Sequence, residues 1–284
     1  MGHQRTDRSR DRRSGSGDAA VLGVYLEGPF INPERRGAFP LDTIVAPDTK
    51  LLARYIERAN GQLRLLTLAP ELPHADEIME VAAAHGVVCA AGHSAATWEQ
   101  MQQVVDLGVR HATHTFNAMG TLHHREPGLL GAALADDRVN AEIIADGVHV
   151  HPAVVRILVR SKRVAGVVLI TDSIAAAGLP PGSYHTGGLD ITVADGIARL
   201  RDGTLAGSTL TMDRGVANLV AGGAASLAEA LAMGSYHAAR VIGLHDRKGH
   251  IAVRRDADLI GLDDALTIQW TMVGGELVYV RRDE

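Results

Sequence analysis

GVVCAAGHS at residues 86–94 is an apolar run that closes on a histidine. HADEIMEVAAAH (74–85) precedes it and SAATWEQMQQVVDLG (94–108) follows, both with apolar residues at helical spacing. A short run with no polar alternation has no face to offer water, so it reads as a strand buried on both sides. A strand between two helical segments is the repeating unit of a parallel βαβ sheet. The unit recurs outward in both directions, with strand-like runs VLGVYLEGPF (21–30), LRLLTLAPE (63–71), RHATHTFNA (110–118), VNAEIIADGVHV (139–150) and VAGVVLITDS (164–173). HPAVVRILVRS (151–161) adds a further helix, and Ser94 and Pro152 suit the first positions of two of these helices.

The polar chemistry falls late in the runs, at Glu27, Glu71, His93, His114, His149 and Asp172. A (β/α) barrel builds its active site at the C-terminal ends of its strands. The expected fold is therefore α/β: an incomplete TIM-type barrel of about six of the usual eight strands, with a small C-terminal β-domain. From about residue 184 the texture changes, because YHTGGLDITVADGIARL and IAVRRDADLIGLDD…IQWTMVGGELVYV alternate and carry turn glycines, as antiparallel strands do. A helical stretch (209–243) lies between them. The expected organisation is a polar, unordered tail at 1–18, barrel strands and helices at 19–183, a β-domain hairpin at 184–203, returning barrel helices at 204–250 and β-domain strands at 251–284.

Composition narrows the function. Of 284 residues, 46% are hydrophobic, enough for a large core. Lys and Arg number 28 against 33 Asp and Glu, a net charge of −5, so there is no basic field to hold nucleic acid or an anionic membrane. The single cysteine, Cys89, excludes a disulfide framework and a Cys-rich zinc site, and a cytoplasmic protein is expected. The unusual figure is 14 histidines, of which seven fall between His93 and His151.

Glu27, His93 and His114 offer one carboxylate and two imidazoles from three strand ends, a suitable shell for one divalent metal ion with a position left open for water. Zinc stands ahead of iron, manganese and cobalt, and the residues alone do not choose among them. Asp172 is placed to take a proton from a metal-activated water, although an aspartate before AAAG also suits a helix cap. His149 is a candidate for polarising a substrate carbonyl. The loop HHREPG (123–128) carries Arg125, which suits a phosphate, although such a charged loop is more often simply solvated. Asn117 and Ala118 offer amide donors after the His114 strand, and LAGSTLTM (205–212) puts free N–H groups before a helix. No P-loop, GxGxxG or GxSxG is present, so nucleotide-binding and serine-hydrolase readings lack support.

Taken together, LEGPFINPERRGA, AGHSAAT, THTFNAM…LHHREPG, ADGVHVHP, TDSIAAAG and GTLAGSTLTM resemble the N-acetylglucosamine-6-phosphate deacetylases of the amidohydrolase superfamily, from about residue 21 to 282. The resemblance implies hydrolysis of N-acetylglucosamine 6-phosphate to glucosamine 6-phosphate and acetate. It implies a metal on Glu27, His93 and His114, Asp172 as acid/base, and substrate contacts from Ala38, Asn117, Ala118, Arg125, His149, Leu205, Ala206 and Gly207. It also implies a homodimer in which Arg125 reaches the sugar phosphate bound by the neighbouring subunit. Two departures stand out. The family's leading β-segment and first two barrel strands have no match here, so open barrel edges and a mononuclear site are expected. Phe39 stands where the family has a substrate-binding histidine. The rival expectations are a different N-acyl amidohydrolase, or an inactive truncated homologue that at most binds sugar phosphate.

Overall fold

The computed structural model describes residues 19–282; the segment 1–18, expected to be unordered, lies outside them. At its centre six parallel strands pair in chain order: β1 (Val24–Glu27), β2 (Leu63–Leu68), β3 (Val88–Ala91), β4 (His111–Ala112), β5 (Asn140–Ile144) and β6 (Val167–Ile170). Every one of the six runs contributes a strand. Among the described residues β6 does not pair back to β1, so the sheet is a curled half-barrel with two open edges, as the strand count implied. The crossovers carry α1 (Thr49–Ala59), α2 (Ala75–Ala84), α3 (Trp98–Asp106), α4 (Gly128–Ala135) and α5 (Pro152–Lys162).

Strand alternation sorts the side chains. Leu66, Leu68, Cys89, Ala91 and Ala112 pack with Leu52, Ile78, Met101 and Leu129 in one core between strands and helices. Ile143, Val167 and Leu169 do the same with Leu158, Val216, Leu219 and Met233. The remaining alternate positions include Thr67, His111 and Glu142, polar but at most 2% exposed. Buried polar groups need partners. Thr67 Oγ1 bonds Thr113 Oγ1 at 2.7 Å, and His111 Nε2 meets Glu142 Oε1 at 2.7 Å.

Several elements are shorter than their sequence runs. β4 keeps only two residues of 110–118, because His114, Phe116 and Ala118 take positive φ and turn the chain. β5 stops at Ile144, so His149 sits on a loop rather than on a strand end. Ser94 does not start α3: its hydroxyl donates to Glu71 (2.7 Å) and its backbone makes an isolated parallel bridge to Met119. The helix begins three residues later, where Thr97 and Gln100 form a reciprocal capping box. Pro152 does occupy the first turn of α5, with His151 as its cap.

Beyond β6 the chain makes an antiparallel sheet of β7 (Gly182–Thr186), β8 (Leu189–Ala194) and β9 (Ile197–Arg199), so the hairpin expected at 184–203 begins earlier and gains a third strand. Its tight turn uses Gly187 and Gly188, both with positive φ, which glycine adopts at least cost. The helical stretch 209–243 resolves into α6 (Met212–Ala221), α7 (Leu227–Gly234) and α8 (Tyr236–Val241), broken at Gly222–Gly223 and Ser235. A second antiparallel sheet follows: β10 (Leu259–Leu262), β11 (Ile268–Val273) and β12 (Glu276–Val280). Among the described residues no helix is long and apolar enough to cross a membrane.

Gly92 lets the strand ends close beneath the site. A Cβ there would lie 2.7 Å from Thr113 Cβ and 3.0 Å from Thr67 Cγ2. Gly92→Ala should therefore lower stability by about 1–3 kcal/mol through overpacking. Urea unfolding midpoints measure this, and an unchanged midpoint would refute so tight an approach.

Candidate active site

Glu27 is the last residue of β1, while His93, His114 and Asp172 each lie two residues past the ends of β3, β4 and β6. Parallel strands in register deliver these positions to one edge of the sheet. His93, His114 and Asp172 have φ of +48°, +28° and +50°, a left-handed conformation that is strained for residues with a side chain. Each is held there by neighbours. Asn32 N–H donates to the His93 carbonyl (2.9 Å), His114 N–H to Glu142 Oε2 (2.9 Å), and Ser208 N–H to the Asp172 carbonyl (2.8 Å). Gly207 permits that last approach, since a Cβ on it would lie 2.9 Å from the same carbonyl oxygen.

The three candidate ligands converge. Glu27 Oε1 is 2.7 Å from His93 Nε2 and 2.8 Å from His114 Nε2, and the two ring nitrogens are 3.0 Å apart. The Arg35 carbonyl, 2.8 Å from His93 Nδ1, can only accept, so Nδ1 carries a proton and Nε2 is the nitrogen that faces the cluster. A carboxylate oxygen and two imidazole nitrogens this close need a proton or a cation between them. The donor set suits a divalent transition metal, and a metal ion fits these residues.

The electrostatics follow. Burial disfavours charge on His114, but the hydrogen bond and charge of Glu27 outweigh it and raise its pKa to about 9. Burial pushes Glu27 up, yet hydrogen bonds from His114 and His93 prevail and hold it well below the usual carboxylate range. Asp172 rises to about 6, chiefly through burial and then through the negative charge of Glu27.

These groups line a cavity of about 480 Å³. Ala38, Asn117, Ala118, His149, Leu205, Ala206 and Gly207 also line it, so the structure gathers the sequence-derived candidates except Arg125 and Glu71. Arg125 is exposed on its loop, bonded to His124 (2.8 Å), and does not line the cavity. Phe39 stands edge-on to His93, ring centroids 5.2 Å apart. His149 Nδ1 is 2.6 Å from Asp146 Oδ2, and the other Asp146 oxygen accepts from the Val148 and His149 amides, so one carboxylate folds the loop and orients the ring. The β7–β8 hairpin contributes Thr186, Gly187, Leu189 and Ile191 as a roof.

Sequence reading passed over Asp146, the roof and the buried His111–Glu142 pair. Glu142 did leave a signal, since a carboxylate inside an otherwise apolar strand demands a partner. Nothing in the hairpin's own sequence says that it covers a cavity. Glu71, grouped with the site by its place in the chain, instead ties loops together, accepting from Asn32 Nδ2, Ser94 Oγ and Ala95 N–H.

The model of the amidohydrolase family matches residues 6–278. The chain is 39% identical over 262 residues to an N-acetylglucosamine-6-phosphate deacetylase from Lysinibacillus sphaericus, covering 92% of this chain and 67% of that protein. It is 39% identical over 268 residues to an N-acetylgalactosamine-6-phosphate deacetylase from Escherichia coli O157:H7, covering 94% and 71%. Among solved structures it superposes, with a TM-score of 0.86 and 37% identity, on a point mutant of N-acetyl-D-glucosamine-6-phosphate deacetylase from Mycobacterium smegmatis in complex with N-acetyl-D-glucosamine-6-phosphate, covering 90% of this chain and 68% of that one. The chain thus spans about two thirds of the length of these proteins.

A metal must displace the proton on His114. Because the folded pKa is raised, the imidazolium's stabilisation of the metal-free protein is full below about pH 6.5 and lost as pH rises through about 9. Zinc uptake near neutral pH should therefore release about one proton, falling toward none above about pH 9, with apparent affinity rising across that window. Calorimetry in buffers of different ionisation heat measures the count, and a pH-independent affinity would contradict it.

Proposed function

The chain belongs to the amidohydrolase family, and from that premise we propose that it hydrolyses N-acetylglucosamine 6-phosphate to glucosamine 6-phosphate and acetate with the help of one divalent metal ion. One arrangement carries this assignment: Glu27, His93 and His114 meet at a point, with Asp172 lining the same cavity. The deacetylase names of the relatives supply the substrate class. N-acetylgalactosamine 6-phosphate is the second reading, favoured by the Escherichia coli relative.

Glu27, His93 and His114 would hold the ion, with zinc the first candidate ahead of iron, manganese and cobalt. When bound, such an ion acts as a Lewis acid on a carbonyl and makes a nearby water a better nucleophile. Asp172, with its pKa near 6, is ionised at neutral pH yet basic enough to hold a proton briefly. It takes that proton from the attacking water and returns it to the departing sugar nitrogen. His149 has Nδ1 committed to Asp146, which leaves Nε2 to meet the acetamide oxygen. A proton on that Nε2 would be donated in a hydrogen bond to the developing oxyanion and stabilise it. Ala38, Asn117, Ala118 and the Leu205–Gly207 strip contact the sugar.

Among the described residues no Arg or Lys lines the cavity. A dianionic phosphate needs cationic partners, and in a homodimer Arg125 of the partner subunit supplies one. We place the reaction in the cytoplasm, where a phosphorylated sugar is retained.

Acetate release from the sugar phosphate, with and without added divalent metal, tests the function; a metal-loaded protein that releases none overturns it. Asp172→Asn should lower kcat by about 10²–10⁴-fold with zinc affinity retained. Arg125→Ala should raise KM for the phosphorylated sugar by about 10-fold or more, and leave KM for unphosphorylated N-acetylglucosamine unchanged. Equal effects on both sugars would count against a phosphate role.

A further inference from the structure

The two imidazoles of the candidate metal site are held in different ways. His93 is tethered through its own ring, since Nδ1 meets the Arg35 carbonyl at 2.8 Å. Metal-binding histidines usually have such a tether, which sets ring direction and tautomer. His114 has none: its Nδ1 is buried and, among the described residues, without a hydrogen-bond partner. Apart from the Nε2 contacts with Glu27 and His93, its direction comes from its backbone, where φ is +28°, outside the regions that residues with a Cβ prefer.

Glu142 holds that backbone. Its Oε2 accepts the His114 amide at 2.9 Å, and its main-chain carbonyl accepts the next amide, Thr115 N–H, also at 2.9 Å. Its other carboxylate oxygen meets His111 Nε2 at 2.7 Å. Glu142 is 2% and His111 1% exposed, so the pair is sealed beneath the site. Neither lines the cavity, and the reaction proposed above uses neither.

We propose that Glu142, locked by His111, is a positioning residue that holds His114 in its strained turn and so aims the His114 imidazole at the metal. Without the acceptor, the His114 amide would be buried and unsatisfied, and the turn would relax toward negative φ and swing the ring off the shared point. This inference rests on the metal centre of the proposed function, not on the identity of its sugar.

Zinc affinity of the metal-free protein, read by competition with a chromophoric chelator and without substrate, tests it. Glu142→Ala should weaken zinc binding about 10–100-fold. Glu142→Asp keeps the charge but draws the oxygens back by one methylene, and should do the same; it carries the test should the alanine variant not fold. Glu142→Gln should stay near the wild-type affinity. Its carbonyl can accept the His114 amide, and His111 can move its proton to the unpartnered Nδ1 and accept from the Gln amide. A purely structural role would lower the melting temperature of the metal-free protein and leave zinc affinity untouched; that result in the alanine or aspartate variant overturns the inference. Loss in Glu142→Gln equal to that in the alanine variant also overturns it, because charge rather than geometry would then matter. A wild type that takes up no zinc overturns both this inference and the metal centre, whereas unchanged affinity in the variants leaves the proposed function standing.

Discussion

The carboxylate of Glu27 lies between two imidazoles, and much of the fold serves to keep those three groups together. No two of them are close in the chain. They meet because parallel strands in register end along one edge, and because the chain turns sharply just past each end. Left to itself, such a cluster of lone pairs would separate into water. Three distant elements hold it: β1 brings the carboxylate, and the turns after β3 and β4 bring the rings.

The strain at those turns is local and its compensation is distributed. The left-handed conformations of His93, His114 and Asp172 are each secured by a backbone N–H hydrogen bond that joins them to another part of the chain. Small residues make room for these bonds. Gly92 admits Thr113 and Thr67 below the cluster, and Gly207 admits the Asp172 carbonyl. Stability and chemistry are thus coupled, since the apolar cores on the helix side fix the strands whose ends carry the candidate ligands.

A second layer supports the first. Asp146 turns the loop that carries His149 and orients its ring, while Glu142 and His111 brace the turn that carries His114. In the reaction and the brace proposed above, carboxylates do three jobs: Glu27 as candidate ligand, Asp172 as proton carrier, and Asp146 and Glu142 as braces. Burial and the Glu27 charge set Asp172 apart, raising its pKa while Glu27 itself is driven down.

Six apolar runs, each closing on polar residues, were enough to read a parallel α/β sheet from the sequence and to name Glu27, His93, His114 and Asp172 as one constellation. Period and position carry that information, because a strand covered on both faces is mostly apolar and a polar group tolerated at its end must have somewhere to go. The short extent of β4, the loop position of His149 and the structural use of Ser94 and Glu71 were beyond that reading. They depend on positive φ angles and on bonds between residues far apart in the chain, which a linear pattern does not encode. The roof over the cavity was hidden for a further reason. The β7–β8 hairpin is an ordinary alternating hairpin, and only packing, with Ile191 and Ala198 buried against Ala176 and Ala206, decides what it covers.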